Sequence, residues 1–428
     1  MPPLPGALEP RRSAAPYIVW LLTLASVVSW RRGVYFSGGL DPVVVIKAVV
    51  GLAALAAAAW SFRRSQGRLR AGGRTLAFLM VYVSVSVLGA ISDGNVPASL
   101  ILTVRVVLIA VTIVLLAGTF PARTLLQSLL AMMALVGLCA TVSGLETLGV
   151  EGRIYGVFPP LNPNEISLLC GLPALGVVHE LSIGSMKNRA GLPLLAALLA
   201  AVWMTGSRTG LFAFAVACVL ILLHARRLRV GAGLALIALV PTAFFVVTET
   251  PLVSSILERG DAAGADLLTL NARTIAWDTV LSTPPETWQR WVGAGLSVKQ
   301  VAVEGQYWQD QVLDSSWISA LAQAGVIGTA VLAAWSLSAV LGSLSARGVR
   351  SITTPILAFI LIRSFLENGL VDSNVPFIVF LTVSLLVERV RTNGQAVGTE
   401  QNWSGSGRPG PQVLHARVPS QGGRYDRR

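Results

Sequence analysis

Charged side chains are scarce in this chain. Asp, Glu, Lys and Arg make up 13% of its 428 residues, whereas hydrophobic residues make up 54%. A soluble domain carries roughly 25% charged residues. The apolar residues come in runs of about 17 to 25, the length that a helix needs to cross a bilayer. The composition therefore excludes an ordinary soluble protein and indicates a polytopic membrane protein.

Cysteine is also rare in this chain. Cys139, Cys170 and Cys218 all fall within apolar runs and lack the spacing of metal ligands, so we expect small buried hydrophobes and no metal or cofactor.

No cleavable signal peptide is expected. Residues 1–16 are proline-rich, and no small-residue cleavage site follows the first apolar run. The net charge of +12 is explained below by membrane orientation, so no nucleic-acid partner is expected.

The apolar runs predict an all-α membrane bundle of about twelve transmembrane helices. The predicted spans are 17–30, 42–62, 75–91, 98–118, 125–143, 165–182, 191–206, 208–225, 230–248, 316–343, 352–367 and 374–388.

Lysine and arginine are distributed unevenly between the two sides of these spans. With the N-terminus inside, the inner segments hold 22 of them and the outer segments eight, which places both termini in the cytoplasm. The chain then divides into five parts: an N-terminal cytoplasmic segment, nine spans, a large extracytoplasmic loop, three spans and a basic cytoplasmic tail. Their predicted boundaries are 1–16, 17–248, 249–315, 316–388 and 389–428. The polar, glycine-rich composition of the tail predicts disorder, with arginines that are either solvated or bound to anionic lipid.

The loop 249–315 interrupts the spans for 67 residues and holds nine acidic residues, four basic residues and four tryptophans. Long loops in compact proteins usually carry a function. We therefore expect this loop to form the lid or wall of an active site outside the cytoplasmic membrane.

Polar residues gather at the predicted outer boundary in four places, and the first two precede spans. Arg153 leads into the turn Asn162-Pro163-Asn164, where the asparagines either cap a helix or bind substrate. Arg208, in Ser207-Arg208-Thr209-Gly210, either extends toward lipid headgroups or serves a site.

The other two clusters lie in and after the long loop. Arg273 and Trp277 are spaced to share one face of a short helix. Asp314 and Ser315 stand where the chain re-enters the membrane. Either residue could cap the next helix, or Asp314 is a functional carboxylate. Arg363 and Glu367 lie one helical turn apart in a predicted span, where an ion pair would offset the cost of burying charge.

Arginines and a carboxylate at one face suit a lipid-linked pyrophosphate substrate. Arginine binds phosphate oxygens through two hydrogen bonds and stays charged. A carboxylate can accept the proton of a sugar hydroxyl. Ion conduction fits poorly, because arginine repels cations and no filter-like sequence occurs.

The motifs, in their order and spacing, resemble the O-antigen ligase and O-antigen polymerase superfamily of bacterial envelope enzymes. They are the Arg153-x-x-Gly-x-Phe stretch that leads into Asn162-Pro163-Asn164, then Ser207-Arg208-Thr209-Gly210, Arg273 with Trp277, Gly293-x-Gly295 and the segment ending Gly325-Val-Ile-Gly328. The late extracytoplasmic loop and the span layout match as well.

The resemblance implies a membrane glycosyltransferase of the C class that uses neither nucleotide sugar nor metal. Its donor is a glycan on polyprenyl pyrophosphate, and the acceptor hydroxyl attacks the anomeric carbon. By motif, Arg208 and Arg273 would neutralise the pyrophosphate. Asp314 completes the expected catalytic set, and the expected substrate-binding residues are Arg153, Asn162, Asn164, Trp277, Arg363 and Glu367. Membrane lipid and a chain-length regulator protein are the further expected partners.

One departure separates this chain from the ligases that it resembles. They carry a His-Asn-like pair where this chain has Asp314-Ser315, and the topology places His179, His224 and His415 on the cytoplasmic side. Asp314 would replace that base or orient the acceptor. The departure favours a polymerase of lipid-linked repeat units, or an exopolysaccharide enzyme, over a ligase that transfers finished glycan.

Two alternatives from other classes remain: a transporter or flippase, and a non-catalytic scaffold in envelope assembly. A transporter is expected to have balanced halves and charges deep in many spans. Here Lys47, Arg105 and Arg363 are the only lysine and arginine residues deep within predicted spans.

Overall fold

The structure is a computed structural model that describes residues 13–31, 41–65, 72–224, 275–303, 310–346 and 348–404. The chain forms one compact unit, Met1–Arg391, and a second segment, Thr392–Arg428. Predicted span 230–248, together with Arg273, lies outside the described residues.

Helices dominate the described residues. They are α1 (Ala15–Val27), α2 (Pro42–Arg64), α3 (Gly73–Asp93), α4 (Val96–Thr119), α5 (Ala122–Ser143), α6 (Leu145–Glu151), α7 (Pro163–Ser182), α8 (Asn188–Met204), α9 (Arg208–His224), α10 (Trp288–Val292), α11 (Ser316–Ser345), α12 (Arg350–Ser364) and α13 (Val375–Ser404). A short helical stretch also covers 275–281. The strands β1 (Gln300–Ala302) and β2 (Asp310–Val312) pair antiparallel, with Val301 opposite Gln311.

Six of the described helices, α2, α3, α4, α5, α7 and α11, are long and apolar enough to cross a membrane. The protein is thus a multi-pass membrane protein, but twelve spans are not confirmed. Predicted spans 17–30, 191–206 and 208–225 correspond to shorter apolar helices, α1, α8 and α9, of 13, 17 and 17 residues. At 1.5 Å per residue a 17-residue helix covers about 25 Å, less than the roughly 30 Å hydrocarbon core.

Helix α7 lies at the centre of the bundle. Among the six spanning helices it has the largest buried share, 78% of its most apolar window, and it packs against α5, α8, α9 and α12. The first turns of α13 are buried as well, and the Phe380 ring lies 4.8 Å from that of Trp335 on α11. The helices alternate in direction, so that α7, α9 and α11 begin where α8 and α12 end. We call this end of the bundle the site face.

Helix α13 continues beyond the predicted end of the last span at 388 and reaches Ser404, so the predicted disordered tail begins as helix. Its Glu388 carboxylate accepts hydrogen bonds from the backbone N–H groups of Arg74 and Thr75, both at 2.9 Å. A carboxylate in this position complements the positive end of α3.

Helix α11 is broken at Gly325, whose φ of 64° and ψ of −165° are not helical. The loop residues 293–298, called the wedge below, pack into the break. Backbone N–H groups of Ala294 and Gly295 donate to the carbonyls of Ala322 and Gln323 at 2.9 and 3.0 Å, and the Gln323 side chain donates to the Val298 carbonyl at 3.0 Å. The wedge therefore satisfies backbone groups that the break would otherwise expose to an apolar interior.

The break requires glycine, and we expect Gly325→Ala to lower stability strongly. The backbone conformation is one that only glycine adopts readily, with a cost of about 1–3 kcal/mol for other residues. In addition, a Cβ would lie 2.2 Å from the Trp291 carbonyl carbon. The apparent Tm of the detergent-solubilised protein should fall by several degrees (roughly what such an energy produces). Gly149→Ala is the matched control, because no atom lies within 4 Å of a Cβ there. Equal Tm values for the two variants would contradict this account of the break.

Candidate active site

The start of α7 forms the floor of the site face. Asn162 is its N-cap residue and accepts the Glu165 N–H at 2.8 Å, while the Glu165 carboxylate accepts the Asn162 N–H at 3.1 Å. This reciprocal capping box shows that Asn162 caps α7, which is one of the two roles that the sequence predicts for it. Ser29, just past α1, lies near the Glu165 carboxylate.

A buried arginine lies directly beneath this helix start. Arg363 on α12 is 5% exposed and donates to the Asn164 carbonyl at 2.8 Å and to the Ser167 hydroxyl at 3.4 Å. Its guanidinium also interacts electrostatically with Glu367, one turn further along the chain. Asn164 thus contributes its backbone carbonyl, and two hydrogen bonds link Arg363 to α7.

The first turn of α9 packs against the same arginine. A Cβ on Gly210 would lie 2.0 Å from the Ser167 hydroxyl oxygen and 2.8 Å from Arg363 Nη1. The Ser207 hydroxyl accepts the Gly210 N–H at 3.3 Å. The absence of a side chain at Gly210 therefore permits α7, α9 and α12 to meet at Arg363. The exposed Arg208 lies two residues before Gly210.

Arg153 is held beside the turn that precedes Arg208. Its Nε donates to the Thr205 carbonyl at 3.0 Å, and the Ile154 N–H donates to the Met204 carbonyl at 3.1 Å. The first two sequence clusters, separated by about fifty residues, therefore lie side by side.

The segment around Asp314 joins them from the other side. The Ser316 N–H and hydroxyl both donate to the Glu367 carbonyl, at 3.2 and 2.8 Å, and the Trp317 indole donates to the Ser364 hydroxyl at 3.0 Å. The N-cap of α11 is Ser315, and no side chain caps it. Asp314 therefore lies one residue before the N-cap position, next to the contacts that join the start of α11 to the segment after α12.

A small cavity of about 70 Å³ lies between these elements. Its polar lining consists of Glu165, Ser316, Arg363, Ser364, Glu367, Asn368 and Asn374. It has room for a few water molecules, but it is smaller than the roughly 300 Å³ of ordinary ligand pockets. A molecule of ordinary ligand size would thus not fit within it.

The third sequence cluster is only partly described, because Arg273 lies outside the described residues. Trp277 lies on the helical stretch 275–281, as the pattern predicts. Its indole N–H is buried without a hydrogen-bond partner among the described residues. Further along the same loop, Lys299 pairs with Asp372 at 2.5 Å, and both side chains are largely buried.

The sequence motifs did not reveal Lys299, Asp372 or the cap role of Glu165. Residues in loops that become neighbours only through folding leave no spacing signal. Lys47 and Arg105 were visible as charges within spans, which is a functional signal in itself, but they were not assigned to the site.

The opposite end of the bundle contains two histidines and a larger cavity. His179 and His224 lie near the last turns of α7 and α9, far along these helices from Asn164 and Arg208. A larger cavity of about 620 Å³ opens there, lined by α5, α7, α8 and α12, and contains none of the predicted site residues. No cluster of metal-ligating side chains occurs among the described residues.

Comparison with known proteins addresses the middle of the chain. Residues 193–333 match the family model described as O-antigen ligase. The resemblance to the O-antigen ligase and polymerase superfamily is confirmed. The matched segment contains Arg208, Arg273 and Asp314, whereas Arg153 and Arg363 lie outside it. No curated protein and no solved structure matches the chain.

The close approach at Gly210 gives a prediction. Gly210→Ala should displace Arg363 or Ser167 and lower both the stability and the glycan-transfer activity of the protein, because the new methyl occupies the position of their polar atoms. The loss is expected to be about 1–3 kcal/mol of unfolding free energy. Gly73→Ala, also in the first turn of a helix but with no atom within 4 Å of the new Cβ, should leave both unchanged. A Gly210→Ala protein with normal Tm and activity would show that the arginine is not held as described.

Proposed function

We propose that this protein polymerises polyprenyl-pyrophosphate-linked oligosaccharide repeat units at the outer face of the bacterial cytoplasmic membrane. The observation that carries the proposal is the convergence of Arg153, Arg208, Arg363 and the Asp314 segment at one end of the bundle. The O-antigen ligase family segment, which contains all three residues proposed as catalytic, supports the reaction class.

The proposed reaction is a single displacement at the anomeric carbon of the donor. The acceptor hydroxyl oxygen forms the new glycosidic bond as its proton passes to the Asp314 carboxylate. The bond between the anomeric carbon and the pyrophosphate oxygen breaks, and polyprenyl pyrophosphate leaves with the electron pair. Arg208 and Arg273 neutralise the charge that accumulates on the leaving oxygen, and electrostatic stabilisation of this kind is a large contribution in enzymes.

The remaining residues of the face position the substrate and the catalytic groups. Arg363 acts from beneath, by fixing the starts of α7 and α9 through Asn164, Ser167 and the contact with Gly210. Arg153 lies beside the turn before Arg208 and is placed to add positive charge for a second phosphate oxygen. Trp277, with its indole N–H unsatisfied among the described residues, is a candidate contact for the glycan.

The orientation with both termini in the cytoplasm rests on the excess of Lys and Arg in the inner segments. It places the site face outside the cell membrane, where lipid-linked repeat units are presented. A chain-length regulator is the proposed protein partner, because a polymerase product requires a limit on its length.

Ligase-type transfer to a different acceptor is the second candidate, favoured by the description of the matching family. The aspartate at position 314, in place of the histidine of the ligases, favours polymerisation. Incubation of the purified protein with lipid-linked repeat units alone separates the two. A polymerase yields a ladder of longer lipid-linked glycans, whereas a ligase yields none without its second acceptor.

The arginine assignment predicts loss of activity without loss of folding. Arg208→Ala and Arg273→Ala should each lower the rate of chain extension by about 10²–10³, the usual effect of removing one electrostatic stabiliser of a transition state. Extension of lipid-linked oligosaccharide by purified protein is the measurement, and monodisperse elution in detergent checks folding.

Arg31→Ala is the matched control. Arg31 lies at the same end of the bundle in an exposed ion pair with Asp41, and such pairs contribute little to stability. If both test variants extend glycan at the wild-type rate, the catalytic assignment is wrong. If they lose transport of lipid-linked substrate rather than extension, the protein is a transporter.

Asp314→Asn tests the proposed base. The amide keeps the shape of the side chain but cannot accept the hydroxyl proton, so kcat should fall by about 10²–10⁴. Asp93→Asn, an exposed carboxylate at the end of α3, serves as the control. Near-normal turnover of Asp314→Asn would reduce Asp314 to a residue that orients the loop.

A further inference from the structure

Two cations lie inside helices of the bundle, apart from the arginines of the proposed catalytic set. Lys47 is on α2 and Arg105 on α4, both partly buried, and both helices are long enough to cross a membrane. An ionised side chain at such a depth is costly and usually faces a ligand, a cavity or a partner.

The surroundings of these cations link them to the site face. Arg105 donates to the Ser26 carbonyl in the last turn of α1, at 3.1 Å. Lys47 interacts electrostatically with Arg105 and with Glu165, and Glu165 lines the small cavity over Arg363. Arg105 also interacts with Asp372. The two cations are therefore neighbours on one side of the same polar region.

The charges of this region do not cancel among the described residues. Its carboxylates are fewer than its cations: Glu165, Glu367 and Asp372 against Lys47, Arg105, Lys299 and Arg363. Asp372 forms an ion pair with Lys299 at 2.5 Å, and Arg363 interacts electrostatically with Glu367. Glu165 interacts electrostatically with Lys47, and Arg105 shares Asp372 with Lys299.

Arg105 also retains unused hydrogen-bonding capacity. A guanidinium has five N–H donors, and within the described part of the chain the side chain makes one hydrogen bond, to Ser26. Lys47 and Arg105 repel each other, and an anion placed between them would relieve this repulsion while accepting the spare donors. Phosphate oxygens match the arginine fork and can accept two hydrogen bonds from it.

The exposed side of α2 offers a path from the surrounding lipid to Lys47 and Arg105. Helix α2 is the least buried of the six spanning helices, at 17% of its most apolar window, and its Val45, Ile46 and Val49 are exposed beside Lys47. Helix α2 packs on α1 and α4, so a lipid that moves along its exposed side meets Lys47 first and Arg105 next.

We propose that Lys47 and Arg105 form a binding site for the phosphate group of a membrane lipid that enters along α2. Under the proposed function, on which this second step rests, the lipid is the polyprenyl diphosphate of a substrate. The pair holds its diphosphate at the edge of the site face, next to Glu165. Lys47 and Arg105 are then binding residues of the entry path, separate from Arg208 at the reaction centre.

The test is direct binding to the full-length protein in detergent. A short-chain polyprenyl diphosphate, phosphatidylglycerol and inorganic pyrophosphate serve as separate probes. Loss of one hydrogen bond to a charged group corresponds to about tenfold or more in Kd, so Lys47→Gln and Arg105→Gln should each weaken binding of the lipid probes at least tenfold. Arg123→Gln is the control, because Arg123 is paired with Glu180 at the opposite end of the bundle and is 61% exposed.

The three probes identify the source of the phosphate. Tighter binding of the polyprenyl diphosphate than of phosphatidylglycerol supports a substrate site, and the reverse supports a site for a structural anionic lipid. Binding of inorganic pyrophosphate alone, or unchanged affinity for both lipids in both variants, overturns the proposal. Since Arg105 also supports the end of α1, Lys47→Gln carries the test if Arg105→Gln does not fold.

Kinetics separate this inference from the proposed function. If the wild-type protein extends glycan, the variants should raise KM for the lipid-linked substrate at least tenfold and change kcat much less. An unchanged KM would refute the entry site and leave the polymerase standing. If the wild-type protein binds the lipid through Lys47 and Arg105 but extends no glycan, the polymerase proposal fails and the lipid site remains.

Discussion

The guanidinium of Arg363 is removed from water, and the site face is arranged around its solvation by protein groups. A buried cation is tolerated only where hydrogen-bond acceptors and opposite charge replace its hydration. Here the Asn164 carbonyl, the Ser167 hydroxyl and the charge of Glu367 supply this replacement. These groups belong to α7 and to the end of α12. The need to solvate the Arg363 guanidinium therefore fixes how α7 and α12 meet, and this in turn fixes the position of α9 and Arg208.

The same requirement explains why small residues recur at this end of the bundle. At Gly210 the backbone of α9 approaches the arginine so closely that no side chain fits, and at Gly325 the backbone of α11 opens to receive the wedge. In a membrane interior no water replaces a missing backbone partner. The polar atoms must therefore be matched by protein at short range, which only glycine permits at the closest contacts.

Hydrophobic periodicity was sufficient to predict the class of the protein and most helix positions, because the thickness of a bilayer sets the length of the apolar runs. It placed the ends of short helices such as α1 and α12 two or three residues away from those observed, at 17–30 and 352–367 against Ala15–Val27 and Arg350–Ser364. For the site, motif order led to the proposal of Arg208 and Asp314, and pattern alone left Asn162 divided between helix cap and ligand. The pairing of Lys299 with Asp372 joins distant loops, so no local spacing could have revealed it.

The wedge has a consequence for how the large loop relates to the rest of the chain. Its last part is continuous with the interior of the bundle: the backbone of Ala294 and Gly295 completes the hydrogen bonding of α11, and Gly89 on α3 leaves room for Gly293. An exchange of loops between related proteins at the apparent membrane boundaries would thus remove part of the core. A viable chimera would place its second junction before Trp288, so that specificity is exchanged while the wedge stays with the helices that it completes.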